Sequence, residues 1–82
     1  MSIGKEDKTL TQYIYPNIEA ERVRHNISQE DLSAKIGFER KSYYNWLVNG
    51  KIPGNVLVKL ADYFNCSTDY LLGRTRNPIM PN

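Results

Sequence analysis

The sequence predicts an all-α protein, a compact five-helix bundle, on three observations. Apolar residues recur at helical intervals, most regularly at Leu57, Leu60, Ala61 and Phe64. Helix-starting and helix-ending residues punctuate the chain at short spacing: Pro16, Asn26, Ser28, Gly37, Asn49-Gly50, Pro53-Gly54-Asn55, Ser67 and Gly73. No strand-like alternation, internal repeat or low-complexity segment interrupts the pattern.

Each element follows from its own residues. Residues 1–14 are mostly polar and read as a flexible N-terminal tail, an arm candidate whose Leu10, Tyr13 and Ile14 sit at helical spacing and can adhere to the domain surface. Pro16 and Asn17 start the first helix, over about residues 16–25. Glu19 and Glu21 lie early in it and Arg22, Arg24 and His25 late, as the helix dipole favours. Asn26 is a plausible C-terminal cap. Ser28, with Asp31 three residues on, resembles a capping box and starts the second helix, which carries Leu32 and Ile36 and stops at Gly37. The third helix, about residues 39–48, has two sides. Tyr43, Trp46 and Leu47 mark the buried one, joined by Phe38, while Arg40, Lys41, Tyr44 and Asn45 fall on other faces. Asn49-Gly50 ends it. The fourth helix spans about residues 55–64 with Asn55 or Gly54 as cap and Lys59 on its far, solvated face. Ser67 caps a short fifth helix through Leu72, closed by Gly73, with Leu71 turned to the core. Residues 15–73 thus form the domain and 74–82, with two prolines in the last five residues, an extended C-terminal tail.

Composition narrows the function. At 82 residues the chain suits one small domain without a large active-site cleft. Its formal net charge of +2 is only a hint of polyanion binding, so the placement of the charges must decide. The single Cys, Cys66, is expected to be buried; it excludes an internal disulfide and lacks companions for a zinc site, so no metal or other cofactor is expected. No apolar run approaches the roughly 20 residues that span a bilayer, and the start has no signal-peptide pattern. A soluble, unprocessed, cytoplasmic protein without a membrane partner is the expectation. His25 is the only His, and no carboxylate pair or Gly-rich phosphate loop appears, so neither an enzyme nor a small-molecule substrate is expected.

The short link Gly37-Phe38 between the second and third helices has the composition of a helix-turn-helix. Around it stand Ser28-Gln29, Trp46, Asn49-Gly50-Lys51, Lys59-Leu60-Ala61 and Ser67-Thr68-Asp69-Tyr70-Leu71-Leu72-Gly73, in that order. Together these resemble the phage repressor and Cro family, also called the Xre family, over residues 18–73. The resemblance implies a five-helix bundle of the phage-repressor helix-turn-helix type. It also implies a transcriptional regulator, most often a repressor, bound as a homodimer to a two-fold double-stranded DNA operator. The chain would be a standalone domain or the N-terminal piece of a longer repressor. A module of the same fold that binds a protein, antitoxin-like or antirepressor-binding, is the alternative.

The family's reading positions match Arg40, Lys41, Tyr44 and Asn45 on the third helix, which would enter the major groove. Arg40 suits paired bonds to guanine and Asn45 paired bonds to adenine; Tyr44 either meets a base or extends the core. Gln29 matches the family residue at the start of the second helix, where its amide and the free backbone N–H groups hold a phosphate. Ser42, Asn49 and Lys51 are further phosphate candidates. The dimer surface would use the fifth helix and the C-terminal tail, with Tyr70 and Leu72 as candidates.

Three positions depart from the family pattern. Trp46 is separated from Gly50 by three residues without the usual Glu, so Arg22 loses its expected partner and turns to Glu19, Glu21 or a phosphate. Glu39 stands where Ser or Thr usually caps the third helix; it either turns away from DNA or accepts a bond from cytosine. Glu21 fills a position that is usually apolar.

Overall fold

Pro16 opens the first helix as expected: in the computed structural model, which describes residues 13–79, α1 runs Pro16–Arg24. Proline's missing N–H loses nothing there, because the first N–H groups of a helix have no intrahelical partner. His25 is the C-cap rather than the last helical residue, and Asn26 follows at φ +56°, a left-handed conformation that Asn tolerates. The chain thereby reverses into α2 (Gln29–Ile36). The Ser28 hydroxyl accepts the Asp31 N–H at 3.0 Å and closes the helix start. Ser28→Ala is expected to cost about 1 kcal/mol, read as a lower urea midpoint at unchanged native helix content.

Gly37, at φ +89°, ends α2 and leads into α3 (Arg40–Asn49). The helix lies one residue later than expected at both ends. Glu39 is its N-cap and makes no side-chain capping bond, while Gly50 ends it in the left-handed region at φ +76°. The start of α4 (Gly54–Phe64) corrects the expected cap: Pro53, not Gly54 or Asn55, takes that position. Proline has no side-chain acceptor to offer, but its fixed φ suits the extended cap geometry and its carbonyl accepts from Val56 and Leu57 N–H at 3.1 and 3.0 Å. The last helix, α5 (Thr68–Leu71), is capped by the Ser67 hydroxyl on Tyr70 N–H at 3.0 Å, and Leu72 is its C-cap.

The core collects Ile18 from α1, Leu32 and Ile36 from α2, Tyr43 and Leu47 from α3, and Leu71 from α5. Helix α4 contributes Val56, Leu60, Ala61 and Phe64, so its buried row starts at Val56, whereas the expected Leu57 is half-buried. Cys66 is buried as expected, and burial pushes its thiol up. No helix among the described residues is long and apolar enough to cross a membrane.

Two carboxylates of α1 are buried with these side chains, Glu19 at 5% and Glu21 at 3% exposure, although carboxylates ordinarily stay in water. Two residues apart they point about 200° away from each other, toward different neighbours. Glu19 receives Arg22 through both Nε and Nη2 at 2.9 Å and the Tyr43 hydroxyl at 2.8 Å. Glu21 receives Arg24 Nη2 at 3.0 Å and the Tyr70 hydroxyl at 3.2 Å. A buried carboxylate is tolerated only when so satisfied. Glu19 is thus the partner of Arg22, whose remaining Nη1 donates to the Ile27 carbonyl at 2.7 Å. Glu21 fits its family-atypical position because Tyr70 of α5 reaches it.

Three further expectations change. Tyr13 and Ile14, counted with the tail but expected to be able to adhere to the domain surface, are part of the folded unit: Tyr13 is 7% exposed, and Ile14 N–H donates to the Leu47 carbonyl at 2.8 Å. That bond satisfies a C-terminal carbonyl of α3 that the helix itself leaves open. The rest of the expected arm, including Leu10, lies outside the described residues. Lys59 is not simply solvated; its Nζ donates to the Ile36 carbonyl at 3.2 Å and lies 5.6 Å from the Phe38 ring centre, fastening the α2–α3 turn to α4. The chain beyond Gly73 folds back rather than running away, since the Pro78 carbonyl accepts Ser67 N–H at 2.9 Å.

Candidate nucleic-acid interface

The helix-turn-helix is built by α2 and α3, which pack on each other around the Gly37 bend. Helix α3 is anchored from beneath by Tyr43 and Leu47, at 1% and 0% exposure. The Tyr43 hydroxyl on Glu19 ties it to α1, and burial together with that carboxylate holds the Tyr43 phenol well above its ordinary value, hence neutral and donating. Phe38 and Trp46, expected in the core, are half-buried and meet edge to face with ring centres 5.0 Å apart. They pack together against the edge of the core.

With Tyr43 and Leu47 fixed inward, the 3.6-residue period sends Arg40, Lys41 and Asn45 outward, and all three are exposed. Tyr44 is half-buried, its ring edge-on to Tyr13 with centres 6.1 Å apart and planes at 81°. The ring contact agrees with Tyr44 extending the core, and its partial exposure agrees with contact to a base. Ser42 is half-buried.

The start of α2 lies beside the start of α3. Arg40 Nη1 donates to Gln29 Oε1 at 3.0 Å, and Gln29 Nε2 lies 3.5 Å from the Tyr13 hydroxyl as a long donor contact. Gln29 and Arg40 are 11 residues apart in sequence but act as one unit on the surface. Free N–H groups at the α2 and α3 N-termini add partial positive charge beside them. Beyond α3, Asn49 Oδ1 accepts the Lys51 N–H at 2.7 Å, so this side chain shapes the turn and presents Lys51, which is exposed. Glu39 is exposed at the α3 N-cap. The two candidates for a dimer surface are half-buried. Tyr70 turns its hydroxyl to Glu21 within the same chain, and its carbonyl accepts Asn17 Nδ2 at 2.7 Å.

Tyr13, counted with the tail but expected to be able to adhere to the domain surface, packs beside Gln29 and Tyr44. Its signal was Pro16, which disfavours helical geometry at Tyr15 and so cuts the helical spacing of Leu10, Tyr13 and Ile14 away from α1. Tyr15 is indeed non-helical, at φ −121° and ψ 76°.

A Helix-turn-helix family model matches residues 18–71. The chain is 38% identical over 58 residues to the uncharacterized HTH-type transcriptional regulator YobD of Bacillus subtilis (strain 168). That match covers 70% of this chain and 52% of YobD, so the chain spans about half the length of the curated relative it matches. No solved structure matches. The Gly37 bend, the Ser28 and Ser67 caps and the matched span agree, and the chain belongs to the phage repressor and Cro, or Xre, family of helix-turn-helix domains.

Proposed function

We propose that the protein is a sequence-specific DNA-binding transcriptional regulator, acting as a repressor, with α3 in the major groove and the start of α2 on the phosphate backbone. The observation that carries this reading is the joined surface of Gln29 and Arg40 beside exposed Lys41 and Asn45. It sets a phosphate-gripping amide next to side chains able to pair with base edges. Arg40, Lys41, Tyr44 and Asn45 then read bases; Gln29, Ser42, Asn49 and Lys51 hold phosphates. One module covers a half-site, so a homodimer formed through Tyr70, Leu72 and the segment after α5 would cover a two-fold operator. Light scattering of the chain, free and with a two-fold operator, tests that assembly.

Selection of bound sequences from random double-stranded DNA tests the central reading. A shared motif is the expected result, and no binding even at low salt overturns it. Affinity should fall steeply with salt, because each phosphate neutralised by Lys or Arg releases counterions and adds about −0.9 to the log–log slope. Lys51→Ala is expected to make that slope shallower by about 1 and to weaken all sequences alike. A slope near zero would point instead to a protein partner on the same face.

A further inference from the structure

We infer that Tyr13 is a positioning residue for DNA recognition, holding the Gln29 amide and the Tyr44 ring in place before DNA arrives; this rests on the proposal that the α2–α3 face binds DNA. Residues 13–15 precede the family match, which begins at residue 18, so the brace belongs to this chain's own N-terminal segment. The segment is itself well held. Ile14 N–H is bonded to the Leu47 carbonyl at 2.8 Å, and the Ile14 side chain covers Gly50 so closely that a Cβ there would stand 3.2 Å from its Cγ2. Pro16 keeps Tyr15 out of helical geometry on the other side. Tyr13 therefore projects from a backbone fixed to the C-terminal half of the same helix that carries Arg40 at its start and Tyr44 at its middle.

The chemistry of Gln29 sets its direction. An Arg guanidinium only donates, so its bond at 3.0 Å requires the Gln29 carbonyl oxygen toward Arg40. The Gln29 NH2 must then face the Tyr13 hydroxyl, which accepts one hydrogen and leaves the second for a phosphate oxygen. A Gln left to itself on a helix surface loses rotamer freedom when it grips a ligand; one already held from both ends loses less. The Tyr13 ring meets Tyr44 edge-on, restricting the neighbouring candidate base contact by the same means.

Tyr13→Phe keeps the ring, its burial and its contact with Tyr44 but removes the acceptor for Gln29. Tyr13→Leu removes both supports. Two measurements on the full chain separate the possibilities: side-chain amide ¹⁵N relaxation of Gln29 in the free protein, and Kd for the operator recovered from random DNA. Tyr13→Phe is expected to loosen the Gln29 amide, to raise Kd by roughly two- to tenfold at unchanged Tm, and to have no effect in a Gln29→Ala background. Tyr13→Leu should raise Kd further. A merely structural role would leave the coupling to Gln29 at zero. Unchanged amide order and Kd in Tyr13→Phe, or an equal loss in the Gln29→Ala background, would overturn the inference. If the wild-type chain selects no DNA, the DNA-binding reading itself falls, and the Gln29 relaxation still reports separately whether Tyr13 holds the amide.

Discussion

Replacing Glu19 with Ala is expected to remove about 3 kcal/mol of folding stability. Glu19 is the acceptor for three donors: Nε and Nη2 of Arg22, each at 2.9 Å, and the Tyr43 hydroxyl at 2.8 Å. Breaking a buried ion pair by deleting one partner typically costs about 3–5 kcal/mol, because the other charge stays behind in a poor environment. The lower end applies here, since the Arg22 side chain is 19% exposed and keeps its bond to the Ile27 carbonyl. Tyr43 has no such escape at 1% exposure, and its stranded hydroxyl accounts for about 1–3 kcal/mol of the same loss. A domain of 82 residues holds about 4–12 kcal/mol in total, so a loss of this size takes it close to unfolding. Thermal melts followed by circular dichroism should show Tm falling by at least about 12 °C. A drop of less than about 4 °C would mean that water replaces Glu19 without loss and that the network is incidental. Tyr43→Phe provides the comparison. It deletes one donor and leaves the Arg22 pair intact, so it should cost only about 1 kcal/mol.

The Glu19 network also explains which parts of the molecule a single sequence makes legible. Ser28, Gly37, Gly50 and Ser67 could be assigned because caps and left-handed turns are decided within a few residues of themselves. The two sides of α3 followed for a related reason, since a period of 3.6 fixes which residues oppose Tyr43 and Leu47. Burial of a carboxylate has no such local cause. Glu19 depends on Tyr43, 24 residues away, and Glu21 on Tyr70, 49 residues away, so both looked like ordinary dipole-facing acids. Lys59 looked solvated because its acceptor, the Ile36 carbonyl, is 23 residues distant and belongs to a helix end brought there by the fold. Within the candidate interface the same division holds. The outward placement of Arg40, Lys41 and Asn45 was local, whereas the links from Gln29 to Arg40 and to Tyr13 exist only once α2, α3 and the segment before α1 have packed.

That packing makes Arg40 the residue whose substitution should say most about function. Under the proposed mode its guanidinium sits near the start of α3 and makes paired bonds to a guanine edge, worth about 1–3 kcal/mol of discrimination. Arg40→Ala should therefore weaken binding to the selected operator by roughly 5- to 150-fold and flatten the preference at one base pair of each half-site. Alanine alone is an ambiguous probe, because it also releases Gln29 from the bond at 3.0 Å and removes a positive charge. Both of these side effects weaken every sequence alike. Arg40→Lys separates the terms. Lysine keeps the charge and can still donate to Gln29, but it lacks the planar fork that a guanine edge matches. Its salt slope should equal that of the wild type while its preference at the one base pair is lost. Competition binding against operators changed at each position in turn measures this directly. Should Arg40→Lys rank all those operators as the wild type does, Arg40 serves to hold Gln29 on the backbone, and the base reading passes to Lys41, Tyr44 and Asn45.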